Sequence, residues 1–117
     1  MLKPGLEISP VPVTPSLYQQ LDEEFNGFKG HVLISMYEFE DSWPTWEIHP
    51  HGDELVLLLS GEATMVLKTS NGEQSLALQA PGSYVIVPKN TWHTARVNQN
   101  CSLLFVTPGE GTENKTF

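Results

Sequence analysis

The stretch Trp46-Glu47-Ile48-His49-Pro50-His51-Gly52-Asp53-Glu54-Leu55, with the apolar run that follows it as far as Gly61, carries the deciding pattern. Two imidazoles and three carboxylates stand within the eight residues Glu47 to Glu54. Beside a buried strand such groups are tolerated only when solvated, paired or bound to an ion. On an extended segment Glu47, His49 and His51 share one side, because side chains alternate with a period of two. Glu54 opens the next strand and falls in with Val56 and Leu58, and a kink at Gly52 would bring it to the face that carries His49. Downstream, Pro88-Lys89-Asn90-Thr91-Trp92-His93 holds a further imidazole, so three of the four histidines lie in two clusters.

Neutral imidazole nitrogens and carboxylate oxygens converging from adjacent strands are what a divalent transition ion requires, each ~2.0 to 2.2 Å from the metal. His49, Glu54 and His93 are therefore candidate ligands, with His51 or Glu47 as the fourth. Glu47 has a second reading, as a carboxylate that orients a ligand imidazole through its other nitrogen. Asp53 reads as a turn residue and His31 as structural. Arg96 reads as a surface or interface ion pair, with substrate anchoring as the alternative.

Around the clusters the chain reads as short strands. His31 to Glu40 alternates with both faces largely apolar, which places it between two layers or at a subunit interface. Leu55 to Leu59 reads as a strand, Gly61 as a turn and Ala63 to Thr69 as the returning strand. Asn71-Gly72 is a two-residue hairpin signal before Gln74 to Gln79. Tyr84 to Val87, Trp92 to Val97 and Leu103 to Thr107 complete the series, with Asn98-Gln99-Asn100 read as a turn. Eight or nine short strands predict an all-β sandwich or small barrel. Trp43, Trp46, Trp92, Tyr37 and Phe105 could line a pocket mouth.

Upstream, prolines at positions 4, 10, 12 and 15 make the first residues an extended arm. Ser16 and Gln19 have the form of a capping box, and Leu17, Leu21 and Phe25 recur at a helical spacing, so a short helix is expected from about Leu17 to Phe25. The arm and helix occupy 1–28, a barrel 29–108 and a polar, frayed tail 109–117.

The 117 residues suffice for one core. A net charge of −8 and a pI near 4.8 exclude nonspecific attraction to nucleic acid or an anionic membrane surface. The apolar run from Leu55 to Leu59 is far below the ~20 residues of a membrane helix. Cys101 is the single cysteine, read as a buried structural thiol. These features predict a cytoplasmic protein.

The spacing of the two clusters resembles that of a small single-domain cupin. Glu54 and Gly61 stand as the glutamate and glycine of that family's first motif, and Gly82, Pro88 and His93 as the glycine, proline and histidine of its second. The likeness runs roughly from Trp46 to Val97. A gapped register puts Glu47 and His49 on the family's histidine pair; a shortened loop puts His49 and His51 there. Asn90 stands where the family has glycine, and Val97 where it has asparagine. The resemblance implies a double-stranded β-helix, or jelly-roll barrel, usually a homodimer, with one divalent transition metal (Fe, Mn, Ni or Zn) inside the barrel. It implies a small-molecule ligand and chemistry of the dioxygenase or isomerase kind, in which Glu54 or Glu47, if displaced from the metal, could serve as proton acceptor. The other reading is a non-catalytic binding or regulatory cupin, with or without metal.

Overall fold

Two strands far longer than their neighbours carry the architecture. The computed structural model describes all residues, 1–117. After helix α1 (Leu17–Glu24) and a 3-10 turn (Asn26–Phe28) come β1 (Leu33–Phe39), β2 (Thr45–Ile48), β3 (Glu54–Thr69), β4 (Gly72–Leu78), β5 (Tyr84–Val87), β6 (His93–Thr107) and β7 (Glu113–Thr116). β3 and β6 pair antiparallel along most of their length, from Leu55↔Val106 to Leu67↔His93. β1 and β5 flank one half of this ladder, while β4 and β2 flank the other, with β7 outside β2. The antiparallel sheet curls on itself into the β-barrel of a jelly roll.

Gly61 and Asn98-Gln99-Asn100, expected as turns, are instead bends within continuous strands. The β3–β6 register shifts between Leu58 and Ala63, and this is where each strand leaves one layer for the other. Gly61 has φ +79°, and a Cβ there would collide with the Asn100 carbonyl oxygen. Only glycine permits that approach. The irregularity also flips the alternation of β3: Glu54, Val56 and Leu58 point inward before it, Ala63, Met65 and Leu67 after it. An apolar face is thus kept on the inside across the bend. Val56, Leu58, Met65, Leu67, Leu78, Val87, Leu103 and Phe105 join Cys101 in one core, where the thiol is buried and free as expected.

The hairpin signal at Asn71-Gly72 is real, but Thr69 pairs with Gly72, so the two turn residues are Ser70 and Asn71. The capping box is not made: Ser16 occupies the N-cap with no side-chain cap bond, and Gln19 instead donates to Glu23 at 3.2 Å. The arm is tied down at Leu2, which bridges to Ile8 and Val32. Met1, Leu17, Leu21, Phe25, Phe28 and Leu33 form a second, smaller core over one side of the barrel. The expected frayed tail is also corrected, because β7 pairs with β2 from Thr45↔Thr116 to Ile48↔Glu113. β2 would otherwise be an open edge, and β7 satisfies its backbone groups. No helix is long and apolar enough to cross a membrane.

Candidate metal centre

The side chains of the cluster reach the interior from three strands, β2, β3 and β6. Glu47 comes from β2, opposite His93 at the start of β6. His49 follows directly on β2, and Glu54 is the first residue of β3, on the same inward face as Val56. The loop between β5 and β6 is locked to this corner by two bonds. Lys89 N–H donates to Asp53 Oδ1 at 2.8 Å, and Asn90 N–H to the His49 carbonyl at 2.9 Å. Asn90 takes the left-handed conformation, φ +60°, that a glycine would occupy without strain. Asp53 is thus the turn residue that holds the two clusters together.

The ligand atoms of Glu47, His49 and His93 lie within 4.8 Å of one another. His49 Nε2 is 3.1 Å from Glu47 Oε1 and 3.2 Å from Glu54 Oε2, and His93 Nε2 is 3.1 Å from Glu54 Oε1. Glu54 therefore bridges the two imidazoles. His49 and Glu54 are 3% exposed and His93 is fully buried. Yet His49 Nε2, His93 Nε2 and Glu54 Oε1 have no partner with hydrogen-bond geometry. Buried polar atoms left without such partners cost free energy, and these three share one small space.

The other ring nitrogens decide what the unpaired ones can do. The Thr112 hydroxyl donates its one proton to the Gly109 carbonyl at 2.9 Å, so at 2.8 Å it must accept from His49 Nδ1–H. His93 Nδ1–H donates to the Thr91 carbonyl at 3.0 Å. In the neutral rings both Nε2 atoms are then lone-pair donors, the form a metal takes. Glu54 Oε2 is fixed by the Thr107 hydroxyl at 2.7 Å, which leaves Oε1 as its free oxygen. The Nε2 atoms of His49 and His93 together with a Glu47 carboxylate oxygen, mutually within 4.8 Å, fit a divalent transition ion, and Glu54 lies beside both rings.

Without an ion the same groups form a charge network. Burial alone would lower the His49 pKa, but the adjoining carboxylates of Glu47 and Glu54 outweigh it and raise it to about 9. Burial would raise the Glu54 pKa, yet His49 and His93 bring it down to about 2.

Of the expected ligands, His49, Glu54 and His93 are brought together and Glu47 joins them. His51 does not. Pro50 and His51 form a turn that ends the β2 alternation, so the His51 ring stands exposed beside Gly111. The gapped register is the one that the geometry follows. His31 packs edge-on against Phe25 at 5.4 Å, and Arg96 is exposed. Thr112 and Thr107 were not singled out in the sequence. Thr107 carried a readable signal, since it sits in phase with the inward residues Leu103 and Phe105; Thr112 lay in a segment with no apolar pattern.

A cavity of about 670 Å³ opens beside Glu47, His49 and Glu54. Tyr37, Trp43 and Phe105 line it as expected. Trp46 and Trp92 do not: Trp46 packs on Phe117 under the Lys68 ammonium, and the Lys115 ammonium sits over Trp92. Tyr18 and Asp22 of α1 lie on its rim, and burial, with Tyr37 close by, raises the Tyr18 pKa.

No protein-family model and no curated protein matches the sequence. Solved structures match in shape. A cupin-2 domain protein from Shewanella frigidimarina NCIMB 400 is 21% identical over 66% of this chain and 70% of that one, with a TM-score of 0.56. A cupin superfamily protein from Desulfitobacterium hafniense DCB-2 is 28% identical over 65% of each chain, with a TM-score of 0.54. Hydroquinone 1,2-dioxygenase from Sphingomonas sp. TTNP3, solved with 4-hydroxybenzoate bound, is 19% identical over 65% of this chain and 58% of that one, with a TM-score of 0.56. What the three share with this chain is the fold.

Proposed function

Taking the chain as a small cupin domain, we propose that it binds one divalent transition ion through His49, His93, Glu54 and Glu47, and that it binds and transforms a small organic molecule in the adjoining cavity. The observation that carries this reading is the pair of buried Nε2 atoms without hydrogen-bond partners, on rings whose Nδ1 atoms are already committed to Thr112 and Thr91. The donor set suits iron, manganese, nickel or zinc. The likeness to a dioxygenase supports redox chemistry without fixing the reaction.

A bound ion supplies Lewis acidity to an oxygen of the ligand. The protein does the rest. Glu54, tethered by Thr107 and held well below the usual carboxylate range, stays ionised and acts as a fixed ligand more than as the proton acceptor. Glu47 is 27% exposed and borders the cavity, so its carboxylate is the one placed to take a proton from a molecule there. Tyr37, Phe39, Trp43 and Phe105 exclude water from one side of that molecule.

The experiment is a metal measurement. Protein made without an affinity tag and dialysed against a weak chelator retains about one transition ion per chain. His93→Ala reduces this to background while the far-ultraviolet circular dichroism is unchanged, and His51→Ala leaves it intact. No retention, with no thermal stabilisation on adding any of the four ions, would leave a non-catalytic binding module as the better reading.

The partner we propose is a second copy of the chain. Two cross-strand rows, Ile34-Val106-Leu55-Ile86 and Met36-Leu104-Leu57-Tyr84, cover the outer face of the β1-β6-β3-β5 layer. Met36 is 55% and Tyr84 61% exposed, and an apolar face of this extent suits self-association. Sedimentation equilibrium tests it, and a monomer at all concentrations would remove it.

A further inference from the structure

The cavity has an uneven distribution of charge. The chain holds six lysines and arginines, and none of them lines it; the acidic side chains that do are Asp22, Glu47 and Glu54. Tyr37, Phe39, Trp43 and Phe105 form one contiguous aromatic wall, with ring centroids 5.8 to 6.3 Å apart. That wall meets the cluster directly, since the Trp43 ring is 6.2 Å from His93.

We infer that the molecule this cavity takes is an aromatic hydroxyl compound without an anionic substituent, its ring against the wall and its hydroxyl donating to Glu47. The inference deepens the reading of the site given above and rests on it. A free carboxylate or phosphate entering here gives up its hydration and meets three carboxylates against the single His49 imidazolium, which is already engaged by Glu47 and Glu54, with no lysine or arginine fork to replace the lost water. A divalent ion does not reverse this: its two charges are matched by Glu47 and Glu54, and Asp22 remains uncompensated at the rim. An organic cation is drawn to the aromatic faces, but a quaternary ammonium has no proton to donate to Glu47. A neutral ring keeps the stacking and edge contacts with the wall. Its hydroxyl finds in the partly exposed Glu47 an acceptor that a plain hydrocarbon cannot use. The volume of about 670 Å³ is ample for a fused two-ring compound.

Calorimetric titration at pH 7 with three probes of similar size tests the inference: 2-naphthol, 2-naphthoate and phenyltrimethylammonium, on metal-free protein and on protein loaded with redox-inert zinc. The expected result is that 2-naphthol binds both forms about tenfold more tightly than 2-naphthoate, and binds the zinc form more tightly than the ammonium does. Asp22→Lys, on the exposed face of α1, is expected to narrow the naphthol preference about threefold. Phe39→Leu weakens naphthol binding with the circular dichroism unchanged. Equal or tighter naphthoate binding, tighter binding of the ammonium to the zinc form, a preference untouched by Asp22→Lys, or no binding of naphthol at millimolar concentration would overturn it. Failure to take up zinc would count against the metal reading alone, because the comparison on metal-free protein stands without it.

Discussion

The inward faces of β3 and β6 each pass from a polar pole to an apolar interior within two residues. On β3 Glu54 is followed by Val56; on β6 His93 is followed by Ala95, and all four are at least 97% buried. The backbone and the degree of burial are alike, so the two regions differ only in side-chain chemistry. The apolar region gains stability from area removed from water, ~25 cal/mol per Å². The polar pole costs stability unless its charges are compensated, as that of His49 is by Glu47 at 3.1 Å and Glu54 at 3.2 Å. The same two strands therefore give the barrel its cohesion at one end and hold the candidate ion site at the other.

The sharpest way to separate the two regions is Leu58→Ala. Leu58 is fully buried in the apolar core, so the change should lower unfolding free energy by about 2 to 5 kcal/mol without altering metal stoichiometry. Loss of the ion in this variant would show that the two regions are not independent.

The next effect appears only at the polar pole of metal-free protein. His49, raised from 6.5 to about 9, contributes stability that is complete below pH 6.5 and lost as pH climbs through 9. Glu54, lowered from 4.5 to about 2, contributes above pH 4.5 and loses its share as pH falls through 2. Urea unfolding across pH should thus show a plateau between about 4.5 and 6.5 with a decline of roughly 3 kcal/mol on either side. The two arms report the same pair and do not add. Loading the ion should abolish the alkaline decline, since Nε2 then no longer carries a proton; persistence of that decline in loaded protein would place the ion elsewhere.

The smallest effect belongs to Thr112. Thr112→Val removes the acceptor for His49 Nδ1 and should weaken metal affinity by about 10- to 100-fold at unchanged melting temperature of the metal-free protein. An unchanged affinity would mean that β2 alone orients the ring.

Much of this was legible in the chain. Period-two alternation and closely spaced turn residues indicate a β-barrel, and the spacing of His49, Glu54 and His93 places them at one corner. The continuity of β3 and β6 was not legible, because Gly61 and Asn98-Gln99-Asn100 have turn composition. Whether such residues reverse a strand or bend it depends on what lies across the ladder, here each other. His51 misled because a period of two holds only while the backbone stays extended, and Pro50 ends it. β7 could not be read, since an exposed edge strand pairs through its backbone and leaves no hydrophobic signature.

The bond from His49 to Thr112 spans 63 residues. A ribosome therefore makes His49, with Glu47 and Glu54 close to it, long before the hydroxyl that sets this ring in its tautomer. Capture of an ion by the nascent chain would occur on a loosely organised set of donors, open to whichever competing metal is most abundant. For the proposed centre, discrimination between metals would become available only once Thr112, immediately before β7, has docked against His49.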